Sequence, residues 1–188
     1  MFGKKPSSTP PQKPAIAPAP VQPARPAGWA VQVLTTDYVI SGYIQPVDMP
    51  LVGSLNVPTQ PTLTLTQAQL RSIEAQAAGA TLPEITVPKA TIIALVPRDE
   101  ASSRSAAAQM PTNSQRALIY AGPYLLRAAF RLSGDMHMRT LFGASAGIML
   151  AVSEAAITCL KSGSVFPEQT APVVILNKNS VQAYHPRD

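Results

Sequence analysis

A glycine-flanked serine is the first candidate for chemistry in this chain of 188 residues. Residues 143–147 read Gly-Ala-Ser-Ala-Gly and fit the pattern G-x-S-x-G, which in many hydrolases holds a nucleophilic serine on a sharp strand-to-helix turn. Such a serine needs a base within hydrogen-bond reach and an acid that orients the base. In the order serine, acid, histidine, the chain offers Ser145, then Glu154 or Glu168, then His185.

The surrounding sequence weighs against a hydrolase. That fold needs strands alternating with helices before the serine, whereas residues 29–140 are rich in strand and turn signals. Short runs of Gly, Ala and Ser also produce the motif by chance. In an internal repeat described below, "GASAG" aligns with "VPTQP" (57–61), which has no serine. We therefore expect no catalytic site and keep a serine hydrolase through Ser145 only as a third interpretation.

Metal, cofactor and thiol chemistry find little support in the residue pattern. His137 and His185 are the two histidines, and with Asp135 they show no regular ligand spacing. The single cysteine, Cys159, excludes an internal disulfide and a thiolate zinc cluster, and its apolar segment predicts an inert buried thiol. No glycine-rich phosphate loop is present. We expect neither a metal nor a cofactor.

Basic side chains are the strongest candidates for a binding site. Arg127 and Arg131 are four residues apart in a predicted strand and therefore share one face, and Arg139 lies in the turn that follows. Lys89 and Lys178 occupy the last predicted turns of two similar segments. Together these side chains could contact the phosphates of a nucleic acid, with few aromatic residues placed to stack on its bases.

The net charge of +5 is unevenly distributed along the chain. Residues 29–99 carry three bases and five acids, whereas residues 116–188 carry seven bases and four acids. The opposite signs allow the two regions to dock, with the arginines of the second region pairing with Asp37, Asp48 or Glu84. The basic excess also suits an acidic partner, nucleic acid or anionic lipid.

Both regions belong to an internal repeat. Residues 29–99 and 116–188 align with only small shifts, and both end in Pro-Arg-Asp. The aligned pairs include Tyr38 with Tyr124, Ala68 with Ala155, and Lys89 with Lys178. Chance similarity between two apolar segments rarely preserves order, spacing and a terminal tripeptide together. The sequence therefore predicts two divergent copies of one domain.

Each copy has the pattern of a small β-domain. Two hairpins flank a short helical turn and a third strand, which gives about five strands per copy. The segments 66–78 and 153–162 stay open between strand and helix, because Ala, Gln, Glu and Leu favour helix. Residues 100–115 are small and polar and predict a linker. We predict a mainly β protein with two tandem small β-barrel-like domains.

Residues 1–28 differ from the rest in composition, with eight prolines and no acidic side chain. They predict a disordered, extended tail that acts as a spacer or as a ligand for proline-reading domains. The tail lacks the apolar region of a secretory signal. The longest apolar run, 141–160, contains Glu154 and is interpreted as core. We expect a cytoplasmic protein without membrane insertion.

The first copy resembles the Sm/LSm-like small β-barrel. In that family, a long strand pair with a Gly and an Asp precedes a strand with an Ala, a variable loop and a final hairpin. "TTDYVISGYIQPVD…LTLTQAQL…EITVPKATIIALVP" follows this order, with Gly42 and Asp48 at the family's positions. The resemblance covers 31–97 and extends less well to 118–186, where Ala128 replaces the Gly. The chain is also similar to uncharacterised bacterial domains with the pattern "TDYVI.G.I".

The resemblance implies RNA contact through an Asn soon after the Asp and a basic residue in the last turn. Met49-Pro50-Leu51 lacks that Asn, whereas Lys89 and Lys178 stand in the last turns. Exposed strands of such barrels invite pairing with other chains. We therefore expect a non-enzymatic protein-interaction or assembly module, with a protein partner or self-assembly. The alternative is an RNA- or DNA-binding protein that uses Arg127, Arg131, Arg139, Lys178 and Lys89.

Overall fold

The computed structural model describes residues 28–74, 79–108, 110–134, 136–144 and 147–187. The predicted tail, apart from Gly28, lies outside these residues. Asp135, which was considered as a metal ligand, and Ser145 of the G-x-S-x-G motif lie outside them as well.

Ten antiparallel strands and three α-helices make up the described part of the chain, and a mainly β fold is thus confirmed. The N-terminal half comprises β1 (Trp29–Leu34), β2 (Tyr38–Ile44), α1 (Leu51–Leu55), β3 (Thr62–Ser72), β4 (Ala80–Pro88) and β5 (Ala94–Pro97). After α2 (Glu100–Ala107), the C-terminal half comprises β6 (Asn113–Ala121), β7 (Tyr124–Leu132), α3 (Met138–Ala144), β8 (Met149–Cys159), β9 (Gln169–Asn177) and β10 (Val181–Arg187). Short 3-10 turns, Lys89–Thr91 and Lys178–Ser180, precede β5 and β10.

The strands form one sheet in the order β10-β6-β7-β8-β9-β5-β1-β2-β3-β4. Within each half, the last strand pairs with the first, and the other four follow in chain order. The two halves therefore share one strand order, and they join where β9 pairs with β5. This arrangement leaves β4 and β10 at the two edges of the sheet.

Both halves carry the same irregularity in their third strand. Gln67 in β3 and Glu154 in β8 have φ angles of 50° and 52°, a left-handed conformation that is uncommon outside Gly. Each residue precedes an alanine of the sequence alignment, Ala68 or Ala155. Each shifts the register with the preceding strand, β2 or β7, while the register with the following strand, β4 or β9, is kept. Such bulges bend a strand and strengthen its twist. The aligned copies therefore have matching backbone geometry at this point.

Most of the described residues in the two segments left open between strand and helix form strand, and none forms helix. β3 continues to Ser72, and β8 continues to Cys159. In β3, buried Leu63 and Leu65 alternate with exposed threonines, which is the period-2 pattern of a strand with one face in a core. Pairing on both sides thus overrides the local helical propensity of the Ala- and Gln-rich sequence.

Two hydrophobic cores lie on opposite faces of the central strands. Ala94 and Val96 of β5 belong to the cluster that contains Phe130, whereas Leu95 belongs to the cluster that contains Leu65. β9 divides its side chains between the cores in the same way. Burial on both faces explains why "ALVP" and "VVIL" are continuous apolar runs rather than alternating ones.

The predicted linker contains a helix that packs against the sheet. The Asp99 side chain caps α2 by accepting a hydrogen bond from the backbone N–H of Ser102 at 2.6 Å, and the Ser102 hydroxyl accepts one from the backbone N–H of Asp99 at 3.3 Å. Asp99 also accepts from the N–H of Ala30 at 2.9 Å. Although burial alone raises the pKa of Asp99, the hydrogen bonds from Ser102 and Ala30 hold it below its ordinary value. The pair Asp99-x-x-Ser102 is a helix-capping motif. The prediction of a linker depended on the small and polar composition of 100–115 and missed this motif.

Among the described residues, the structure contains no helix that is both long enough and apolar enough to span a membrane.

Candidate interaction surfaces

The junction between the halves is built on backbone pairing of β5 with β9. Ala94 lies opposite Leu176, and Leu95 lies opposite Ile175. Asn177 extends the pairing, since its N–H donates to the carbonyl of Ile93 at 2.9 Å and its side-chain amide donates to that of Ile92 at 2.8 Å. Asn177 is fully buried and thus pairs the backbone groups that would otherwise lose water at the end of β9.

Side chains around Ile93 complete the junction. Gly122, with a φ of +54°, lies so close that a Cβ atom there would be 2.5 Å from Cδ1 of Ile93. The Tyr124 hydroxyl donates to the carbonyl of Thr35 at 3.0 Å. Burial is the main cause of a strongly raised pKa for Tyr124, and the charges of Cys159 and Asp37 add to it. The junction is therefore closely packed around Ile93.

Ion pairs between the halves involve Lys161 rather than the predicted arginines. Its ammonium lies 3.1 Å from Asp37 and 2.7 Å from Glu74. Arg131 instead contacts its own half, with Nε donating to Ser153 at 3.0 Å and the guanidinium 3.9 Å from Glu154. Arg131 therefore pairs within its own half rather than with Asp37, Asp48 or Glu84.

A second contact between the halves uses one asparagine as a substitute peptide group. The Asn56 side chain accepts from the N–H of Met149 and donates to its carbonyl, both at 2.9 Å. Gly147 approaches so closely that a Cβ there would lie 2.7 Å from Nδ2 of Asn56. This contact fixes the start of β8 against the end of α1.

An open groove of about 600 Å³ lies beside the edge strand β4. The repeat places β4 in the N-terminal half where β9 stands in the C-terminal half. Its lining combines apolar side chains of β2 and β4, including Ile40, Ile85 and Val87, with Tyr38, Asp37 and several threonines. Ile93 and Ser180, which belong to the junction, close one end of it. The groove is thus continuous with the interface that joins the halves.

The aligned tyrosines show how the two edges differ. Tyr124, at the start of β7, is 0% exposed, because its ring packs edge-on against Phe166 of its own half and its hydroxyl reaches Thr35 of the N-terminal half. Tyr38 beside β4 is 45% exposed and lines the groove. The same position is therefore covered in one half and open in the other.

A basic face covers the strands at the other end of the sheet. Arg187 of β10 lies directly opposite Arg116 of β6. Arg116 in turn lies opposite Ala129 of β7, and Arg127 and Arg131 stand two residues before and after Ala129 in that strand. Directly opposite residues share a face of a sheet, so all four arginines point to the same side. Glu154 is 3.1 Å from Arg116 and is the carboxylate bound to this group. We call these four arginines the basic face.

The structure brings only part of the predicted site together. Arg127 and Arg131 share the basic face, whereas Arg139 lies in α3, beside the opposite side of β6. Lys178 precedes β10 at the end away from Arg187. Lys89 is only 5% exposed, donates to the carbonyl of Ser54 at 3.1 Å, and has a pKa lowered by burial.

Sequence analysis missed two arginines of the basic face. Arg116 opens the second copy, and Arg187 belongs to its terminal Pro-Arg-Asp. The alternation of side chains along β6, together with the pairing of β6 with β10, would have placed both arginines on the same face as Arg127.

The groups considered for hydrolysis and metal binding do not form a site in the described residues. Glu154 is bound by Arg116 and Arg131, and His185 lies on β10 opposite Leu118. No group of three His, Cys, Asp or Glu side chains that could hold a metal ion occurs in the part of the chain that the structure describes. Cys159 is a free, partly buried thiol.

No protein-family model, no curated protein and no solved structure matches this chain.

Proposed function

We propose that this chain is a non-enzymatic protein-interaction module that binds a partner by adding a β-strand to its open edge β4. The observation that carries the proposal is the junction of β5 with β9. It shows, within one molecule, how a strand is accepted at the position that β4 occupies in the other half. Strand addition to an exposed edge is a common mode of recognition, in which backbone hydrogen bonds provide affinity and side-chain pockets provide specificity.

Backbone geometry supports an accepting edge at β4. Asn177 directs its N–H toward the carbonyl of Ile93, the residue before β5, and residues two apart in an antiparallel strand direct their N–H groups to the same side. Thr86 aligns with Ile175, two residues before Asn177, so its N–H faces away from β3. A partner strand would accept this hydrogen bond without disturbing the pairing of β4 with β3.

Photocrosslinking in cells that naturally produce the chain tests the proposal. A photoreactive amino acid at Glu84 in β4 should form an adduct with a partner or with a second copy of the chain. Gln69 is the matched control, since it is exposed on β3 but its strand is paired on both sides. Thr86→Pro removes the outward N–H and should abolish the Glu84 adduct. Equal adducts at Glu84 and Gln69, or adducts that persist with Thr86→Pro, would contradict the proposal.

The basic face supports a second candidate function, binding to a nucleic acid backbone. Four arginines share one side of the sheet with a single bound carboxylate, and Tyr120 on the same side of β6 is 40% exposed. Phosphate contacts of this kind weaken steeply as salt rises.

Gel-shift titrations with RNA and DNA over a range of salt concentrations test this second candidate. Arg127→Ala should weaken binding across sequences and make the salt dependence shallower, whereas Arg139→Ala, away from the basic face, should not. Equal effects of both substitutions, or no binding even at low salt, would rule out the basic face as the site.

A further inference from the structure

We infer that the groove beside β4 accepts a segment of a different protein that carries branched aliphatic residues at the positions that Ile93 and Val96 occupy, one in a bend just before the strand and one within it. The inference rests on the proposed strand addition and specifies its partner. It also predicts that β10 of a second copy of the chain is a poor occupant.

The buried cluster beside β9 indicates which side chains the groove beside β4 should accept. Tyr124, Leu126 and Leu176 of the C-terminal half belong to one buried cluster with Ile93 and Val96. The N-terminal half thus inserts branched aliphatic side chains against that wall, and its backbone pairs with β9 alongside.

The open groove repeats this wall position by position. The alignment places Tyr38 at Tyr124, Ile40 at Leu126 and Val87 at Leu176, and all three N-terminal residues line the groove. A wall of one tyrosine and two aliphatic side chains is therefore present in both halves. In the C-terminal half it lies in the same buried cluster as Ile93 and Val96. In the N-terminal half Tyr38 is 45% exposed, whereas Ile40 and Val87 line the groove from within the buried core of that half.

The chain's own β10 lacks the side chains that this wall would receive. Its Gln182 aligns with Ile93 and its His185 with Val96, and both are exposed. Placing an amide and an imidazole against aliphatic carbon costs free energy unless each finds a hydrogen-bond partner. A second copy is therefore disfavoured on the side-chain contacts.

The end of β4 also lacks a group that the junction uses. Pro88 aligns with Asn177, and it has neither the backbone N–H nor the side-chain amide that Asn177 donates to Ile92 and Ile93. Proline on an exposed edge is a known device against indiscriminate strand pairing. An occupant of this groove must therefore derive more of its affinity from aliphatic contacts than β5 does beside β9.

Synthetic peptides binding to the full chain test the inference. The probe is the segment Thr91–Arg98 with Ile92→Lys and Leu95→Lys, because these two side chains face the other core and would point away from the groove. The matched peptide also carries Ile93→Gln and Val96→His, the residues of β10. We expect the first peptide to bind at least tenfold more tightly, as measured by fluorescence anisotropy.

Variants of the full chain locate the binding. Thr86→Pro should abolish binding of the aliphatic peptide, and Tyr38→Arg should weaken it at least tenfold by placing a charge in the groove. Tyr38→Phe is the control and should bind like the unmodified chain. Because Tyr38 is 45% exposed, its variants keep the test usable if Thr86→Pro does not fold.

Each outcome separates this inference from the proposal on which it rests. Equal binding of the two peptides, reduced by Thr86→Pro, would overturn the aliphatic preference and leave strand addition standing. Binding that neither Thr86→Pro nor Tyr38→Arg reduces, or no binding of the aliphatic peptide, would overturn the inference. A concentration-dependent dimer that Thr86→Pro dissociates would identify a second copy as the occupant and overturn it as well.

Discussion

The Tyr124 hydroxyl donates a hydrogen bond of 3.0 Å to the carbonyl of Thr35, across the junction of the two halves. Its aligned partner, Tyr38, lies beside the open groove and is 45% exposed. The same residue type at the same position of the repeat is therefore buried in one half and partly exposed in the other.

Tyr124→Phe should destabilise the protein by about 1–3 kcal/mol, because it leaves the buried Thr35 carbonyl without its donor. Chemical denaturation measures this free energy of unfolding. Tyr38→Phe is the matched control and should change it by less than about 0.5 kcal/mol, as expected for an exposed side chain. Equal effects at both positions would show that the hydrogen bond to Thr35 contributes nothing measurable.

Stability should fall as the pH rises above the ordinary tyrosine pKa of about 10. Burial raises the pKa of Tyr124 in the folded state, so above pH 10 the unfolded chain loses this proton before the folded one does. The contribution is complete below the unfolded pKa and is lost as the pH rises from it toward the folded pKa. The free energy of unfolding should therefore decline less steeply between pH 9.5 and 11 in Tyr124→Phe; an identical slope would contradict the assignment.

Lys89→Met should leave the protein more stable at pH 7, by about 1 kcal/mol, because it removes a buried ammonium that has a backbone carbonyl as its partner. Burial lowers the folded-state pKa of Lys89. The folded chain therefore binds fewer protons there than the unfolded chain, and the unmodified protein gains stability as the pH rises toward 10. The advantage of Lys89→Met should shrink over the same range. A loss of stability at pH 7 would show that the hydrogen bond to Ser54 outweighs desolvation.

Gly122→Ala should weaken the junction between the halves. A left-handed φ costs a residue with a Cβ about 1–2 kcal/mol, and overpacking against Ile93 adds about 1–3 kcal/mol. Gly134→Ala is the matched control, since its φ is +55° but nothing lies within 4 Å of the added Cβ. The difference between the two variants in their free energy of unfolding measures the cost of the contact with Ile93. No difference would show that the Ile93 side chain moves aside without a measurable cost.

Sequence patterns predicted the strands because their causes are local. Alternation in β3 and the hairpin signal around Thr35 depend on neighbours within a few residues. The second hairpin predicted for each copy is wrong, because β5 pairs with β1 rather than β4, and β10 pairs with β6 rather than β9. The repeat added long-range information, since its alignment placed Ala68 and Ala155 at matching bulges. Division into two domains and the Sm/LSm-like relationship remain predictions.

The candidate surfaces were less predictable because they depend on which strands become neighbours. The continuous apolar run in "TIIALVP" is consistent with a strand buried on both faces, but nothing local shows that β9 is the strand that pairs with β5. Lys89 was expected in a turn that contacts phosphates, yet packing of its turn against α1 buries it. Arg116 and Arg187 meet only because the last strand returns to pair with β6.

Amide hydrogen exchange in β4 tests strand addition most directly. With the aliphatic Thr91–Arg98 peptide at saturation, the outward N–H of Thr86 should exchange at least tenfold more slowly than in the free chain. The N–H of Val87 faces β3 and should be unaffected by direct pairing with the peptide. An unchanged exchange rate at Thr86, with the peptide bound, would contradict the account.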